Sequence, residues 1–202
     1  MLKWDKLEIA PGFWLLLIFA FAVGAGEVLP LVFLAAASHE LGHLVALQAV
    51  GARVERLRLS AFGAEIRADT RYLAYPKEIF CTLAGPCVNL ALAFLLARVS
   101  GDYLLAGANL LQGVYNLLPL PCLDGGRVLH LLVSWLSEPD AADTVCRRVG
   151  ICCALLMICG ALALILGQGT GLFLLPGALG GLFSSFWGWK AQLPLAKAVK
   201  KS

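Results

Sequence analysis

The sequence predicts an all-α polytopic membrane protein with about six transmembrane helices, a broken fourth helix and a short membrane-surface β-hairpin. Of its 202 residues, 60% are hydrophobic and only 14% are charged, whereas soluble domains are about 45–50% apolar and about 25% charged. The apolar residues also fall into runs long enough to cross a hydrocarbon core about 30 Å thick. These two observations exclude an ordinary soluble domain.

The predicted spans follow from the apolar runs. These runs cover residues 11–25, 27–50, 76–98, 102–120, 128–136, 145–166 and 169–189. The first run follows Lys3 and Lys6, but Asp5 and Glu8 interrupt the positive charge and no clear cleavage site comes after it. We therefore interpret it as a retained span rather than a cleaved signal peptide.

The stretch 102–136 is too long for one crossing, because about 35 residues of straight helix would extend about 52 Å. It contains NLLPLPCLDGG, residues 116–126, in which two prolines and two glycines interrupt the helical pattern. We predict one span, an irregular turn and a short helical continuation. Irregular backbone at membrane depth is tolerated only where protein or a wet cavity surrounds it, so the break itself indicates a functional location.

Basic residues fall almost entirely on one side of the predicted spans. With the N-terminus placed in the cytoplasm, every lysine and arginine except Arg98 and Arg127 lies in or beside a cytoplasmic segment. Cytoplasmic loops of membrane proteins carry this excess of positive charge. Both termini are therefore expected to be cytoplasmic.

One polar segment has the period of a strand rather than a helix. In ARVERLRLSAFGAEIRAD, residues 52–69, apolar and charged side chains alternate, which is typical of a β-strand. SAFG, residues 60–63, has the composition of a turn. We predict a β-hairpin at the cytoplasmic membrane surface, with a membrane-resting loop as the alternative.

Composition gives little support to other functional classes. The seven cysteines include no CxxC pair, so neither a zinc ribbon nor a thioredoxin-type site is indicated. The net charge is +3 without a basic cluster, and we expect no nucleic acid partner.

The apolar stretch LAAASHELGHLVALQ, residues 34–48, carries His39, Glu40 and His43 at its centre, although a carboxylate in hydrocarbon costs roughly 3 kcal/mol. HELGH is an HExxH motif, and side chains four residues apart lie on one face of a helix. His39 and His43 are therefore expected to bind one metal ion, with Glu40 as general base. Zinc suits imidazole and carboxylate ligands. The alternative is a pair of buried histidines hydrogen-bonded to other helices.

A zinc site of this kind needs a third protein ligand, and Asp124 in the broken helix is the strongest candidate. Its alternative role is that of a helix N-cap, because Asp before a helical run is a common cap. Cys122 and His130 are rival ligands nearby in the sequence.

Three motifs in this order, HExxH, LAGPCVN at 83–89 and NLLPLPCLDGG at 116–126, make the chain resemble the site-2 protease family of intramembrane zinc metalloproteases. The resemblance implies one zinc ion held by His39, His43 and Asp124, with Glu40 as the catalytic residue. It also places Asn89 and Asn116 near the active site. Asparagine amides there suit substrate orientation or oxyanion stabilisation, and hydrogen bonding between helices is the alternative.

The layout resembles the family branch of the stage IV sporulation protease. We expect one transmembrane metalloprotease domain over 1–202, with a catalytic core at about 27–136, C-terminal helices at about 145–189, and no PDZ or CBS domain.

The expected function is zinc-dependent cleavage of a peptide bond in or near a transmembrane segment of a membrane-associated protein. The expected partners are that substrate, the lipid bilayer and a regulatory membrane protein, and the expected location is a bacterial cell membrane. A catalytically silent scaffold and a metal transporter are the alternatives. A scaffold has no use for Glu40, and a transporter would place several ligand pairs along a path.

Overall fold

The computed structural model describes residues 7–9, 25–60, 63–70, 72–137, 139–168 and 174–192, together with Pro11 and Ile18. Most of the first predicted span, 11–25, lies outside these residues. Six α-helices are described: α1 (Leu29–Ala49), α2 (Tyr75–Leu95), α3 (Tyr103–Asn116), α4 (Asp124–Leu136), α5 (Pro139–Gln168) and α6 (Leu174–Gln192). The strands are β1 (Leu7–Ile9), β2 (Arg53–Ser60) and β3 (Gly63–Asp69).

The mainly helical character is confirmed. Within the described ranges, three helical stretches are long and apolar enough to cross a membrane: Leu29–Ala49, Tyr75–Ser100 and Ala141–Gly167. Leu175–Phe186 is a shorter apolar helix. These helices fit a membrane protein, and the count of six crossings stays a prediction.

The chain divides into two compact units, Met1–Tyr115 and Asn116–Ser202. The first contains the sheet, α1, α2 and nearly all of α3, and the second contains α4, α5 and α6. The expectation of a single metalloprotease domain over 1–202 stays a prediction.

In the first unit, α1 and α2 approach each other closely at two glycines. A Cβ atom on Gly42 would lie 2.8 Å from the carbonyl oxygen of Ala84 and 3.1 Å from the Cα of Gly85. Only a residue without a side chain fits this crossing. On other parts of α1, Leu34, Leu41 and Val45 are exposed, as expected for side chains that face lipid. The crossing therefore defines the inner face of α1.

The predicted β-hairpin is confirmed. Strands β2 and β3 pair antiparallel from Arg53↔Asp69 to Ser60↔Gly63, and the two middle residues of the predicted turn lie outside the described ranges. The inner face of β3 packs against the C-terminal end of α1 and the first turns of α2, through Ile66, Ala68, Ala46, Leu47 and Cys81. The hairpin therefore rests on the same two helices that cross at Gly42. Its place at a membrane surface stays a prediction.

A third strand, β1, was not predicted. It pairs parallel with β2 over three residues, from Leu7↔Leu57 to Ile9↔Leu59. Glu8 in β1 also forms an exposed ion pair of 2.7 Å with Arg56. Three residues are too short a run to show the alternation that reveals a strand.

The segment between α3 and α4 is irregular, with helix ending at Asn116 and beginning again at Asp124. Leu120 is fully buried in this segment. Added Cβ atoms on Gly125 and Gly126 would overlap the carbonyls of Leu117 and Leu120. The double glycine therefore lets the first turn of α4 lie directly against the preceding backbone.

Candidate metal centre

The two histidines of HELGH lie on one face of α1, as their spacing predicts. His39 is buried and His43 is half-buried. Their Nε2 atoms are 3.1 Å apart, and the rings meet edge to face with centroids 4.7 Å apart. Two nitrogen ligands of a tetrahedral zinc ion lie about 3.3 Å apart, given bonds of about 2.0–2.1 Å. The pair is thus close to the separation that such an ion requires.

The other ring nitrogen of each histidine contacts an oxygen of α2. His43 Nδ1 lies 2.9 Å from the backbone carbonyl oxygen of Cys81, and His39 Nδ1 lies 2.7 Å from Asn89 Oδ1. A carbonyl oxygen only accepts, so His43 Nδ1 carries the hydrogen and donates it. Metal-binding histidines are commonly oriented by such a bond.

The hydrogen of His39 also lies on Nδ1, because two other acceptors fix the orientation of the Asn89 amide. Asn89 Nδ2 donates to the carbonyl oxygen of Ala35 at 3.0 Å and to Oδ1 of Asn109 at 2.9 Å. Asn89 Oδ1 therefore faces His39 and accepts from Nδ1. Since a neutral imidazole has one N–H, both Nε2 atoms then present lone pairs toward each other. The two lone pairs repel each other at this distance. A cation between them would be attracted to both.

Gly85 leaves space beside these nitrogens. A Cβ on Gly85 would lie 2.9 Å from His39 Nε2 and would overlap Nε2 of His43. Any side chain there would crowd the Nε2 atoms of both histidines. The imidazole donors, their outer hydrogen bonds and this space together fit a zinc ion.

The remaining predicted residues are distributed over both units. Glu40 lies next to His39 on α1 and is half-buried. Asn116 is the last residue of α3 and Asp124 the first of α4; both are half-buried and belong to the second unit. The first unit brings together His39, His43 and Asn89. As a metal ligand, Asp124 can provide one carboxylate oxygen, and each histidine can provide one nitrogen.

The N-cap alternative for Asp124 is wrong. The N-cap of α4 is Leu123, which has extended backbone and no side-chain capping bond. Asp124 occupies the first helical position instead, where a negative charge still interacts favourably with the helix dipole. Its carboxylate is thus not committed to the N-cap bond.

The rival ligand His130 has a different environment within the second unit. It is buried, its Nε2 lies 2.8 Å from Asp143 Oδ1, and its Nδ1 lies 3.2 Å from Ser134 Oγ. Both ring nitrogens are therefore engaged between α4 and α5. Cys122, the other rival, is exposed, with its Sγ 3.9 Å from Ser184 Oγ. These contacts favour structural roles for His130 over metal ligation.

One residue of the site was missed. Asn109, on α3, is 2% exposed and accepts the bond that orients Asn89. Its signal was present in the sequence, because an asparagine inside the apolar run 102–120 is as costly in lipid as Asn89. The sequence does not show that the two amides meet.

The chain combines apolar helices that fit a membrane protein with an oriented histidine pair in an HExxH motif. A family model described as Peptidase family M50 matches residues 102–157. The chain is 32% identical to the putative zinc metalloprotease Rip3 of Mycobacterium tuberculosis over 94% of this chain and 50% of that protein. It is 30% identical to stage IV sporulation protein FB of Bacillus subtilis, over 79% of this chain and 59% of that protein.

A solved structure described as a site-2 protease from Methanocaldococcus jannaschii shares the fold. It matches with a TM-score of 0.67 at 24% identity and covers 92% of both chains. The family model, these relatives and the shared fold all support the site-2 protease family for this chain. The chain spans about half the length of the Rip3 proteins that it matches.

Proposed function

We propose that this protein is an intramembrane zinc metalloendopeptidase. Its substrate is a membrane-associated protein, cleaved in or near a transmembrane segment. The observation that carries the proposal is the convergence of His39 Nε2 and His43 Nε2 at 3.1 Å, each ring oriented by an acceptor on Nδ1. Two relatives that are named as zinc metalloproteases support the proposal.

The proposed ligands of a single zinc ion are His39, His43 and Asp124. Two imidazoles and one carboxylate are a common catalytic zinc set, which leaves a position for water. When bound, the ion supplies Lewis acidity that favours hydroxide over water near neutral pH. Ligation by Asp124 is consistent with its half-buried position and with the carboxylate oxygen that it offers.

Glu40 is the proposed proton carrier. It takes a proton from the attacking water, whose oxygen bonds to the peptide carbonyl carbon. Glu40 then gives that proton to the departing nitrogen as the C–N bond breaks, so that one water is consumed and two termini are formed. Glu40 directly follows His39 on α1, and the glutamate at this place in an HExxH helix is the expected general base.

The asparagines have separate proposed roles. Asn116 donates an amide hydrogen to the substrate or to the oxyanion formed from its carbonyl. For Asn89 the same role would require breaking a bond to Ala35 or Asn109. Its contribution in the intact network is therefore the orientation of His39.

The hairpin is the proposed site of substrate capture. A transmembrane helix hides its peptide bonds in its own hydrogen bonds and must unwind before attack. An unwound segment can add to a sheet edge through main-chain hydrogen bonds. In the order β1–β2–β3 of the described strands, β3 lies at an edge and packs on α1, which carries both histidines, and on α2.

The proposed setting is a bacterial cell membrane, which the chain crosses several times with both termini cytoplasmic. A regulatory membrane protein is a further proposed partner. The similarity to stage IV sporulation protein FB supports a pro-protein of the sporulation type as one substrate.

The test measures zinc content and cleavage in the same preparations. Wild type and Glu40→Gln are purified in detergent, zinc is measured per chain, and cleavage is tested on a panel of single-span reporter proteins. We expect one zinc ion in each and a loss of about 10²–10⁴-fold in cleavage rate for Glu40→Gln. Zinc in both with cleavage by neither would favour a silent scaffold. Absence of zinc from both would overturn the mechanism.

A further inference from the structure

We infer that Asn109 is a positioning residue of the metal centre, which acts through Asn89 to hold His39 with its hydrogen on Nδ1. Neither residue is a proposed metal ligand. The catalytic consequence of this inference rests on the proposed function, but the hydrogen position on His39 does not.

The amide of Asn109 has one favourable orientation. Its Nδ2 donates to the carbonyl oxygen of Leu105, one turn earlier on α3, at 2.9 Å. Its Oδ1 consequently faces the other helices, where it lies 2.9 Å from Asn89 Nδ2 and 3.2 Å from Ser38 Oγ. The backbone of α3 thus fixes which atom Asn109 presents to Asn89.

Burial raises the free-energy cost of the opposite amide orientation. Asn89 is 0% exposed and Asn109 is 2% exposed, so exchange with bulk water is not an alternative for their amides. A buried polar group without a partner costs roughly 1–3 kcal/mol. Turning the Asn89 amide over would place its oxygen against those of Ala35 and Asn109, and its NH₂ against His39 Nδ1. The native orientation satisfies all three contacts at once.

Removal of Asn109 Oδ1 weakens this selection without touching a proposed ligand. Asn89 then keeps only the carbonyl of Ala35 as an acceptor for its NH₂. The balance between the two amide orientations shifts, and His39 gains the form with hydrogen on Nε2, which cannot bind a metal through that atom. We expect zinc affinity to fall about tenfold, the lower end of the effect of losing outer hydrogen-bond partners.

The competing explanation is that Asn109 only joins α3 to α2. In that case its loss lowers stability, while the hydrogen on His39 stays on Nδ1 in the folded fraction. A measurement of that hydrogen separates the two roles.

The experiment uses the full chain in detergent, labelled with ¹⁵N-histidine and stripped of zinc by a chelator. The protein has three histidines, so nitrogen chemical shifts can be assigned by removing one histidine at a time. Spectra are recorded over a series of pH values, and in the neutral form of each ring the shifts report which nitrogen carries hydrogen. His43 and His130 serve as internal references because Cys81 and Asp143 hold them.

Three variants are compared with wild type. We expect Asn109→Leu to move a measurable fraction of His39 to the Nε2–H form. Asn109→Asp keeps an oxygen that can accept from Asn89 Nδ2 and should restore Nδ1–H. Ser38→Ala removes a hydroxyl that lies 3.2 Å from the same Oδ1 and 2.9 Å from the carbonyl oxygen of Ala35, and it should leave His39 unchanged. If Asn109→Leu does not fold, Asn109→Ala replaces it with the same expectation.

Zinc affinity, measured by competition with a chelator, completes the test. An unchanged His39 signal in folded Asn109→Leu or Asn109→Ala would overturn the inference. So would an equal shift in Ser38→Ala. Failure of wild type to bind zinc or to cleave would contradict the proposed function instead, and it would leave the result on the His39 hydrogen standing.

Discussion

At the scale of single residues, the metal centre depends on a position without a side chain. Gly85 lies beside both Nε2 atoms, and a Cβ there would overlap one of them. The surroundings cannot yield easily, because Gly42 and Ala84 are already in close contact at the same crossing. The glycine is therefore required for helix packing and for access of the proposed ion to both nitrogens.

We expect Gly85→Ala to lower zinc affinity more than tenfold and to abolish cleavage, because the methyl group displaces the rings or fills the space between the donors. Zinc per chain and chelator competition check this. Gly107→Ala is the matched control, since Gly107 lies within helix α3 and a Cβ there meets nothing within 4 Å. It should retain zinc and gain up to about 1 kcal/mol in helix propensity. Normal zinc affinity in Gly85→Ala would contradict the assignment.

Residue type and spacing were enough to predict the histidine pair but not its surroundings. HExxH fixes a common face for His39 and His43 through helix geometry alone. The acceptor for His43 is a backbone carbonyl, that of Cys81, and any residue could supply it, so no sequence pattern reveals it. Asn109 was missed for a related reason: its importance lies in contact with Asn89 across twenty residues.

At the scale of elements, hydrophobic periodicity and the positions of proline and glycine predicted the mainly helical character and the hairpin. The alternation in 52–69 gave the hairpin, and the prolines and glycines of 116–126 mark the segment where helix is interrupted between Asn116 and Asp124. The start of α4 was less well predicted, because capping depends on backbone conformation at Leu123 rather than on the nearest acidic residue. Strand β1 was too short to carry a pattern.

The exposed edge of β3 should matter for large substrates. Proline removes a main-chain N–H and disrupts strand addition. In a strand alternate N–H groups point to opposite sides, so one of Glu65→Pro and Ile66→Pro removes an outward hydrogen. We expect that variant to cleave single-span reporters at least about tenfold more slowly while retaining zinc.

Glu65→Ala and Ile66→Ala are the matched controls, because they truncate the same side chains but keep the N–H. Their cleavage rates should exceed those of the corresponding proline variants. If neither proline variant changes cleavage, with zinc retained, substrate capture at this edge is excluded.

At the scale of the whole molecule, the proposed ligands come from both units of the chain. His39 and His43 belong to Met1–Tyr115 and Asp124 to Asn116–Ser202. A ligand that binds only the folded protein stabilises it by about 2.7 kcal/mol at a hundred times its dissociation constant. If Asp124 completes the set, zinc stabilises the fold through residues that are distant in the sequence, and loss of that one carboxylate removes most of the gain.

We therefore expect zinc to raise the thermal unfolding temperature of wild type in detergent, with an effect that grows with zinc concentration, and a chelator to reverse it. Asp124→Asn should lose most of this response, because an amide is a poorer zinc ligand than a carboxylate. Asp102→Asn is the control: Asp102 is an exposed acidic residue at the start of α3 whose Oδ1 accepts from Leu105 N–H, and asparagine caps equally well. A full zinc response in Asp124→Asn would require another third ligand.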